Sequence, residues 1–209
     1  MSGERAAPAA TVTLRERNRE RTRQEIETAA LELMEARGYQ ATTVEEIARR
    51  AGVSSATVFR YFPAKEDMLF AQEHSSAERM VAFVAGRRDR SQTLPALAAP
   101  VTAFAEEILS ETGSQSHRLT RLVMSTPELA GRSMRMRLRW EHGVARQLAR
   151  ETDAQTPDFG QVLVANLAVS CLAAALWQWQ RGDTPASIAG DTRRAFQSAA
   201  ALVRPAPKP

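Results

Sequence analysis

The sequence predicts an all-α protein: a small N-terminal three-helix unit followed by a larger helical unit. Three observations carry this. From Leu14 onward, apolar residues recur at three- and four-residue spacing, the period of helices with one buried face. Glycines and prolines punctuate the chain between those periodic stretches. No strand-like alternation of any length and no internal repeat is present. With 209 residues, 44% of them hydrophobic, the chain can bury a sizeable core and is too apolar for a disordered polymer.

Residues 1–13 hold Gly, Pro, Ala and Ser without periodicity and are expected to be a disordered tail. Ile26, Ala29, Ala30, Leu33 and Met34 share one face of a first helix, which stops at Gly38, a suitable left-handed cap. Thr43-Val44-Glu45-Glu46 is a capping box, with the Thr43 hydroxyl taking the Glu46 amide while Glu46 reaches back. It opens a short second helix with Ile47, Ala48 and Ala51 inward. Gly52-Val53-Ser54 breaks that helix, and Ser54 or Ser55 caps a third running through Tyr61. Pro63 ends it, and a fourth helix is expected from Ala64 to about Val84. Gly86 and the Arg/Asp-rich stretch to Gln92 read as a hinge. Pro95, Pro100, Gly113, Pro127, Pro157, Gly182 and Pro185 then divide the chain into helices at about 95–112, 116–125, 127–152, 158–182 and 185–203. Residues 204–209 are expected to be a second disordered tail.

Thr42 to Phe62 is the informative segment. Two short helices joined by Ala51-Gly52-Val53-Ser54 form a helix-turn-helix, motif 43–62. The glycine permits a positive φ without steric cost, and Val53 plugs the crevice between the helices. The second helix must bring small or polar side chains to the edges of DNA bases. Ser55, Ala56 and Thr57 do this: they are short enough for close approach, and the hydroxyls serve donor or acceptor edges.

Thr42-Thr43-Val44-x-x-Ile47-Ala48-x-x-Ala51-Gly52-Val53-Ser54, continuing as Ser55-Ala56-Thr57-Val58-Phe59-Arg60-Tyr61-Phe62-Pro63-Ala64-Lys65-Glu66-Asp67-Met68, resembles the DNA-binding domain of the TetR family of one-component transcriptional regulators. The likeness runs from about Arg21 to Gln72 and includes Ala29-Ala30 and Gly38-Tyr39; Ala64 stands where the family often has a capping Ser or Asn. The resemblance implies a helix-turn-helix DNA-binding domain over 14–73 and an effector-binding and dimerisation domain over 74–203. It implies that Tyr61 and Lys65 contact phosphate, that Thr43 adds a phosphate contact at the start of the second helix, and that Ser55, Ala56, Thr57 and Arg60 face bases or backbone. For Phe62 a core position is the better reading. The implied partner is double-stranded DNA carrying a palindromic operator, bound by a homodimer and released by a small-molecule effector. Repression is the family-level expectation.

Charge qualifies the picture. The net charge is +4, yet residues 1–73 carry 11 cations against 12 anions, leaving 17 against 12 for the rest. Only Lys65 and Lys208 are lysines. Arg15, Arg17, Arg19, Arg21 and Arg23 form a local basic run, read either as a solvated helix face or as an extended arm tracking a groove.

In 127–152, Met134, Leu138, Ala145 and Leu148 read as a core stripe interrupted by Glu141. Arg132, Arg135, Arg139, Arg146 and Arg150 line another face, solvated or turned to an effector's anionic group. The segment 158–182 is apolar almost all round and rich in Ala. It is long enough to cross a bilayer, but Asn166, Ser170 and Gln178 favour a buried interface helix, so no membrane partner is expected. With 185–203 it resembles the pair forming the family's dimer interface. Candidate pocket residues are Phe104, His117, Met124, Trp140, His142 and Trp177, suited to a lipophilic or aromatic effector such as an acyl thioester.

An enzyme is the alternative of another class. Yet His74, His117, His142 and Cys171 fall into no nucleophile elbow, phosphate loop or His-x-x-x-His pair, so no catalytic residue, metal or cofactor is expected. A helical binding or interaction protein without DNA binding would leave 42–68 unexplained. One cysteine excludes an internal disulfide, and residues 1–13 contain no apolar stretch of the secretory type, so the cytoplasm is the expected compartment.

Overall fold

A computed structural model describes residues 13–71, 73–110, 114–181 and 187–202. The two expected tails, apart from Thr13, and the breakers Gly113, Gly182 and Pro185 lie outside the described residues. Among those described there are nine α-helices, one 3-10 turn and no strand. Two compact units divide between Leu69 and Phe70.

The first unit holds α1 (Leu14–Arg37), α2 (Val44–Arg50), α3 (Ser55–Tyr61) and a 3-10 turn at Lys65–Met68. Thr13 caps α1, its hydroxyl accepting the Glu16 N–H while its own N–H meets the Glu16 carboxylate at 2.8 Å. The basic run from Arg15 to Arg23 is therefore helical, and the extended-arm alternative is excluded for it. Arg21 and Arg23 pair with Glu25 and Glu27 one turn on. Ile26, Ala29, Ala30, Leu31 and Met34 of α1 are buried, as are Ile47, Ala48, Val58 and Phe62, with α1 packed on α2 and α2 on α3. Leu31, rather than the half-buried Leu33, completes the inner face of α1. Gly38 ends the helix at φ +87°.

The second unit holds α4 (Glu73–Ala85), α5 (Leu94–Ser110), α6 (Ser114–Ser125), α7 (Pro127–Arg150), α8 (Phe159–Trp179) and α9 (Ile188–Leu202). The fourth helix thus starts at Glu73 and not at Ala64. Ala64 offers no side-chain cap, and Asp67 takes the Ala64 N–H at 2.7 Å, closing a single 3-10 turn instead. Pro100 lies within α5, where its missing N–H leaves the Ala96 carbonyl without a helical donor.

Met80, Val84, Leu97, Val101, Phe104, Trp140, Val144, Leu148, Val169, Leu172 and Phe196 form the core of this unit. α9 packs on α5 and α8, and α4 on α7. Gly143 permits that last approach, since a Cβ there would fall 2.9 Å from Val81 Cγ2. Met134 and Leu138, expected in the core stripe, are 55% and 42% exposed. The inner face of α7 is instead Trp140, Val144, Ala145 and Leu148. Glu141 is buried beside them, its Oε1 accepting from Arg137 Nε at 2.8 Å while Arg137 Nη2 donates to Ser170 Oγ of α8.

Residues 86–92 are fastened to this unit and are not a hinge. Arg87 is held by Glu151, and Gln92 Nε2 donates to the Leu148 carbonyl at 2.8 Å. Gln161 in turn donates to Gln92 and caps α8 with Asp158. Among the described helices α8 alone is long and apolar enough to span a membrane. Its inner face, Ala165, Ala168, Val169, Leu172 and Ala175, is buried in the bundle. Cys171 lies there too, and burial pushes its thiol pKa up.

Candidate nucleic-acid interface

The turn between α2 and α3 has the geometry the glycine predicts. Gly52 sits at φ +70°, and the Val53 N–H donates to the Ala48 carbonyl at 2.9 Å. Of the two candidate caps, Ser54 is used: its Oγ accepts the Thr57 N–H at 3.1 Å and shares a 2.9 Å hydrogen bond with Thr57 Oγ1. Val58 and Phe62 are buried and anchor the inner side of α3, with the Arg23 guanidinium 5.1 Å from the Phe62 ring centroid.

The outer side follows from helical rotation of about 100° per residue. Ser55, Phe59, Ala56 and Arg60 fall in that angular order along one arc. Phe59, Ala56 and Arg60 are exposed, while Ser55, Thr57 and Tyr61 are half-buried. The Arg60 guanidinium lies 5.6 Å from the Tyr61 ring, and the Tyr61 hydroxyl makes no hydrogen bond among the described residues. Phe59 is 50% exposed. Reasoning from polarity passed over it, although its spacing of three from Ala56 and four from Ser55 puts it on the same face.

Thr43 is exposed at the start of α2. Its hydroxyl accepts the Glu46 N–H at 3.2 Å, and Glu46 Oε2 accepts the Thr43 N–H at 3.0 Å. That N–H bond holds the Glu46 carboxyl below its ordinary pKa, outweighing burial, with the charge of Arg37 adding to it. Lys65 is not extended into solvent. Its Nζ donates to the carbonyls of Tyr39, at 2.7 Å, and Thr42, at 3.0 Å.

The six pocket candidates separate in the second unit. Phe104 and Trp140 are buried edge to face with centroids 5.5 Å apart, and Trp140 Nε1 donates to Ser76 Oγ at 3.1 Å. His117 is half-buried, its Nε2 3.2 Å from the Trp179 carbonyl and its ring edge-on to Trp179. Met124, His142 and Trp177 are exposed, with Arg181 stacked on Trp177. Phe104 and Trp140 are therefore core groups, His117 lies half-buried beside Trp179, and Met124, His142 and Trp177 are surface groups. Among the described residues no group of three or more His, Cys, Asp or Glu is arranged to hold a metal.

Comparison with known proteins places both units. Residues 26–71 match the family described as bacterial regulatory proteins, tetR family, and residues 91–204 match the MftR C-terminal domain. A Mycobacterium tuberculosis protein named as the mycofactocin biosynthesis transcriptional regulator MftR is 30% identical over 168 residues, covering 80% of this chain and 84% of that protein. Among solved structures, a TetR-family transcriptional regulator from Syntrophomonas wolfei superposes with a TM-score of 0.65 at 15% identity, over 88% of this chain and 95% of that one. Thermus thermophilus FadR, a TetR-family repressor in complex with lauroyl-CoA, gives 0.52 at 24% identity, over 90% and 98%. The helix-turn-helix geometry, the two helical units and these matches agree: the chain belongs to the TetR family of bacterial transcriptional regulators and carries an MftR-type C-terminal domain.

Proposed function

We propose that this chain is a cytoplasmic one-component repressor that binds a palindromic operator as a homodimer and releases it when a lipophilic effector binds the second unit. The observation that carries the reading is the outer arc of α3. Ala56 and Arg60 are exposed, with the half-buried Ser55 and Thr57 at the two edges of the arc, a surface suited to base edges and the phosphates next to them. Phe59 adds an apolar group fit for a thymine methyl. Thr43 and the unengaged Tyr61 hydroxyl suit phosphate. Control is allosteric in this reading: the effector favours a dimer whose recognition helices have the wrong separation.

Homodimerisation is supported by the outer face of α8, where Phe159, Val162, Leu163, Leu167 and Trp177 are exposed in the single chain. A patch of that kind on a helix that also forms the core of its own unit fits a second copy better than water. α9 would flank it, as 185–203 does in the family's dimer pair.

For the effector, the half-buried His117 set edge-on to Trp179 supplies an aromatic group with a polar handle. The exposed arginines of α7, among them Arg135, Arg146 and Arg150, supply cations for an anionic head. An acyl thioester fits both, and Thermus thermophilus FadR holds lauroyl-CoA on a related fold. Titrating acyl-CoA of increasing chain length into the chain bound to its selected operator tests this. Release at micromolar concentration supports the reading, and an unmoved complex at every chain length refutes it.

A further inference from the structure

We propose that Arg15 and Arg19 bind the DNA phosphate backbone, presented by a stretch of α1 that has no part in the core. The inference rests on the reading of α2 and α3 as the DNA-binding face. One stripe of α1, at spacings of four, four, three, four and four, reads Arg15, Arg19, Arg23, Ile26, Ala30, Met34. At about 100° per residue these share an arc of about 100°. The C-terminal half of the stripe, Ile26, Ala30 and Met34, belongs to the buried face of the helix. In the N-terminal half every apolar group gives way to an arginine. Between Leu14 and Glu25, about three turns, no residue is buried. A helix of that length without packing is marginal. Local devices hold this one: the Thr13–Glu16 capping box and the Arg21–Glu25 and Arg23–Glu27 pairs.

Arg23 ties the stripe to the recognition helix. Its guanidinium lies 5.1 Å from the centroid of the Phe62 ring, and that of Arg60 lies 5.6 Å from the neighbouring Tyr61 ring. Arg19 and Arg15 continue the row away from the end of α3 in steps of about 6 Å along the helix axis. Both are exposed, and neither makes a hydrogen bond or ion pair among the described residues. The acids of this stretch are engaged elsewhere. Glu16 closes the cap with Thr13, Glu20 accepts from Gln24 at 3.1 Å, and Glu25 and Glu27 pair with Arg21 and Arg23. Arg17 and Arg21 fall about 200° and 240° round the helix from Arg15, on the opposite side. Residues 1–73 carry 12 anions against 11 cations, so no general positive field draws this part of the chain to DNA. Attraction has to come from placed cations, and a guanidinium presents paired donors that fit phosphate oxygens. Such contacts position a protein on the duplex and carry no sequence information.

The test is fluorescence anisotropy of the full chain across a salt series, on an operator duplex selected from a random pool and on a random duplex of equal length. Each phosphate neutralised by a protein cation contributes about 0.9 to the slope of log affinity against log salt. The double variant Arg15→Gln, Arg19→Gln should therefore lower the slope by about 1.8 per bound chain. It should weaken both duplexes roughly tenfold at low salt and leave sequence preference as it is. Arg17→Gln removes a like charge from the other side of α1 and should leave the slope at the wild-type value. Replacing Arg15 and Arg19 by lysine keeps both charges and should keep the slope. Glutamine is a good helix former and the three positions are exposed, so circular dichroism should report unchanged helix content. An unchanged slope in the glutamine double variant overturns the proposal. So does an equal fall per charge for Arg17→Gln, the mark of a solvated face acting through net charge alone. Failure of the wild-type chain to enrich or bind any duplex would instead overturn the DNA-binding reading beneath it.

Discussion

Arg87 donates two parallel hydrogen bonds to Glu151, Nη1 to Oε1 at 2.8 Å and Nη2 to Oε2 at 2.7 Å, and so joins the segment after α4 to the end of α7. The Arg87 side chain is only 2% exposed, and it also donates to the Val84 carbonyl. Burial opposes the Glu151 charge, but hydrogen bonds from Arg87 and Gln147 with the charges of Arg87 and Arg90 outweigh it and hold the pKa below the ordinary 4.5. Removing one partner strands the other charge, so Arg87→Met should destabilise the second unit by roughly 3–5 kcal/mol. Urea unfolding followed by circular dichroism measures it. A depressed carboxylate stabilises above its unfolded pKa and loses that contribution as pH falls through the folded one. The wild type should therefore lose stability more steeply than Glu151→Gln below pH 4.5, the ordinary value. Parallel pH profiles would count against the pair.

Phe59 is half out of the protein on the outer arc of α3, where burial gives it no reason to be aromatic. Phe59→Ala should change stability by less than about 0.5 kcal/mol. It should also weaken operator binding about tenfold and relax the preference for one A·T pair, worth about 1–3 kcal/mol for a good base contact. Thr57→Ala should shift sequence preference, whereas Tyr61→Phe should lower affinity alike for all sequences. Anisotropy against a panel of single-base variants separates these outcomes. Uniform losses for all three substitutions would refute the division.

Gly143 tests the approach of α4 to α7. Alanine gains about 1 kcal/mol of helix propensity over glycine. Here, however, its Cβ would meet Val81 Cγ2 at 2.9 Å, and a β-branched side chain has little freedom to yield. Overpacking costs about 1–3 kcal/mol, so Gly143→Ala should be destabilising. Adding Val81→Ala should recover part of the loss, beyond its own cost in wild type. Additive losses in a thermal denaturation cycle would contradict the contact.

The exposed apolar face of α8 carries the dimer proposal. Leu163→Arg or Leu167→Glu places a charge where a second copy would bury it. Either should convert a dimer to a monomer in sedimentation equilibrium while leaving helix content unchanged. A wild-type chain that sediments as a monomer at all concentrations would contradict the proposal.

Much of the fold is legible in the sequence because its signals are local. Thr43 and Glu46 form the capping box their spacing announces, Gly38 and Gly52 take the positive φ their turns require, and Pro127 opens α7. What escaped depends on contacts remote in the chain. Asp67 folding back on Ala64 delays the fourth helix to Glu73. Arg87 meeting Glu151, 64 residues away, turns an apparent hinge into a fastened segment. Met134 and Leu138 have the right period for a core but stand on the outer side of α7, 55% and 42% exposed among the described residues. In the candidate site, the outward placement of Ala56 and Arg60 follows from helical rotation. The contacts of Lys65 do not follow from rotation, because the carbonyls of Tyr39 and Thr42 that it meets lie more than twenty residues away in the chain.

The most direct test of the account is selection of bound DNA from a random pool by the full-length chain. The predicted result is one enriched palindrome with half-sites about 34–36 Å, or one helical turn, apart centre to centre. Phe59→Ala should relax that consensus at one A·T pair, and Leu163→Arg should abolish the enrichment. A pool that stays unenriched, or a consensus without two-fold symmetry, would contradict it.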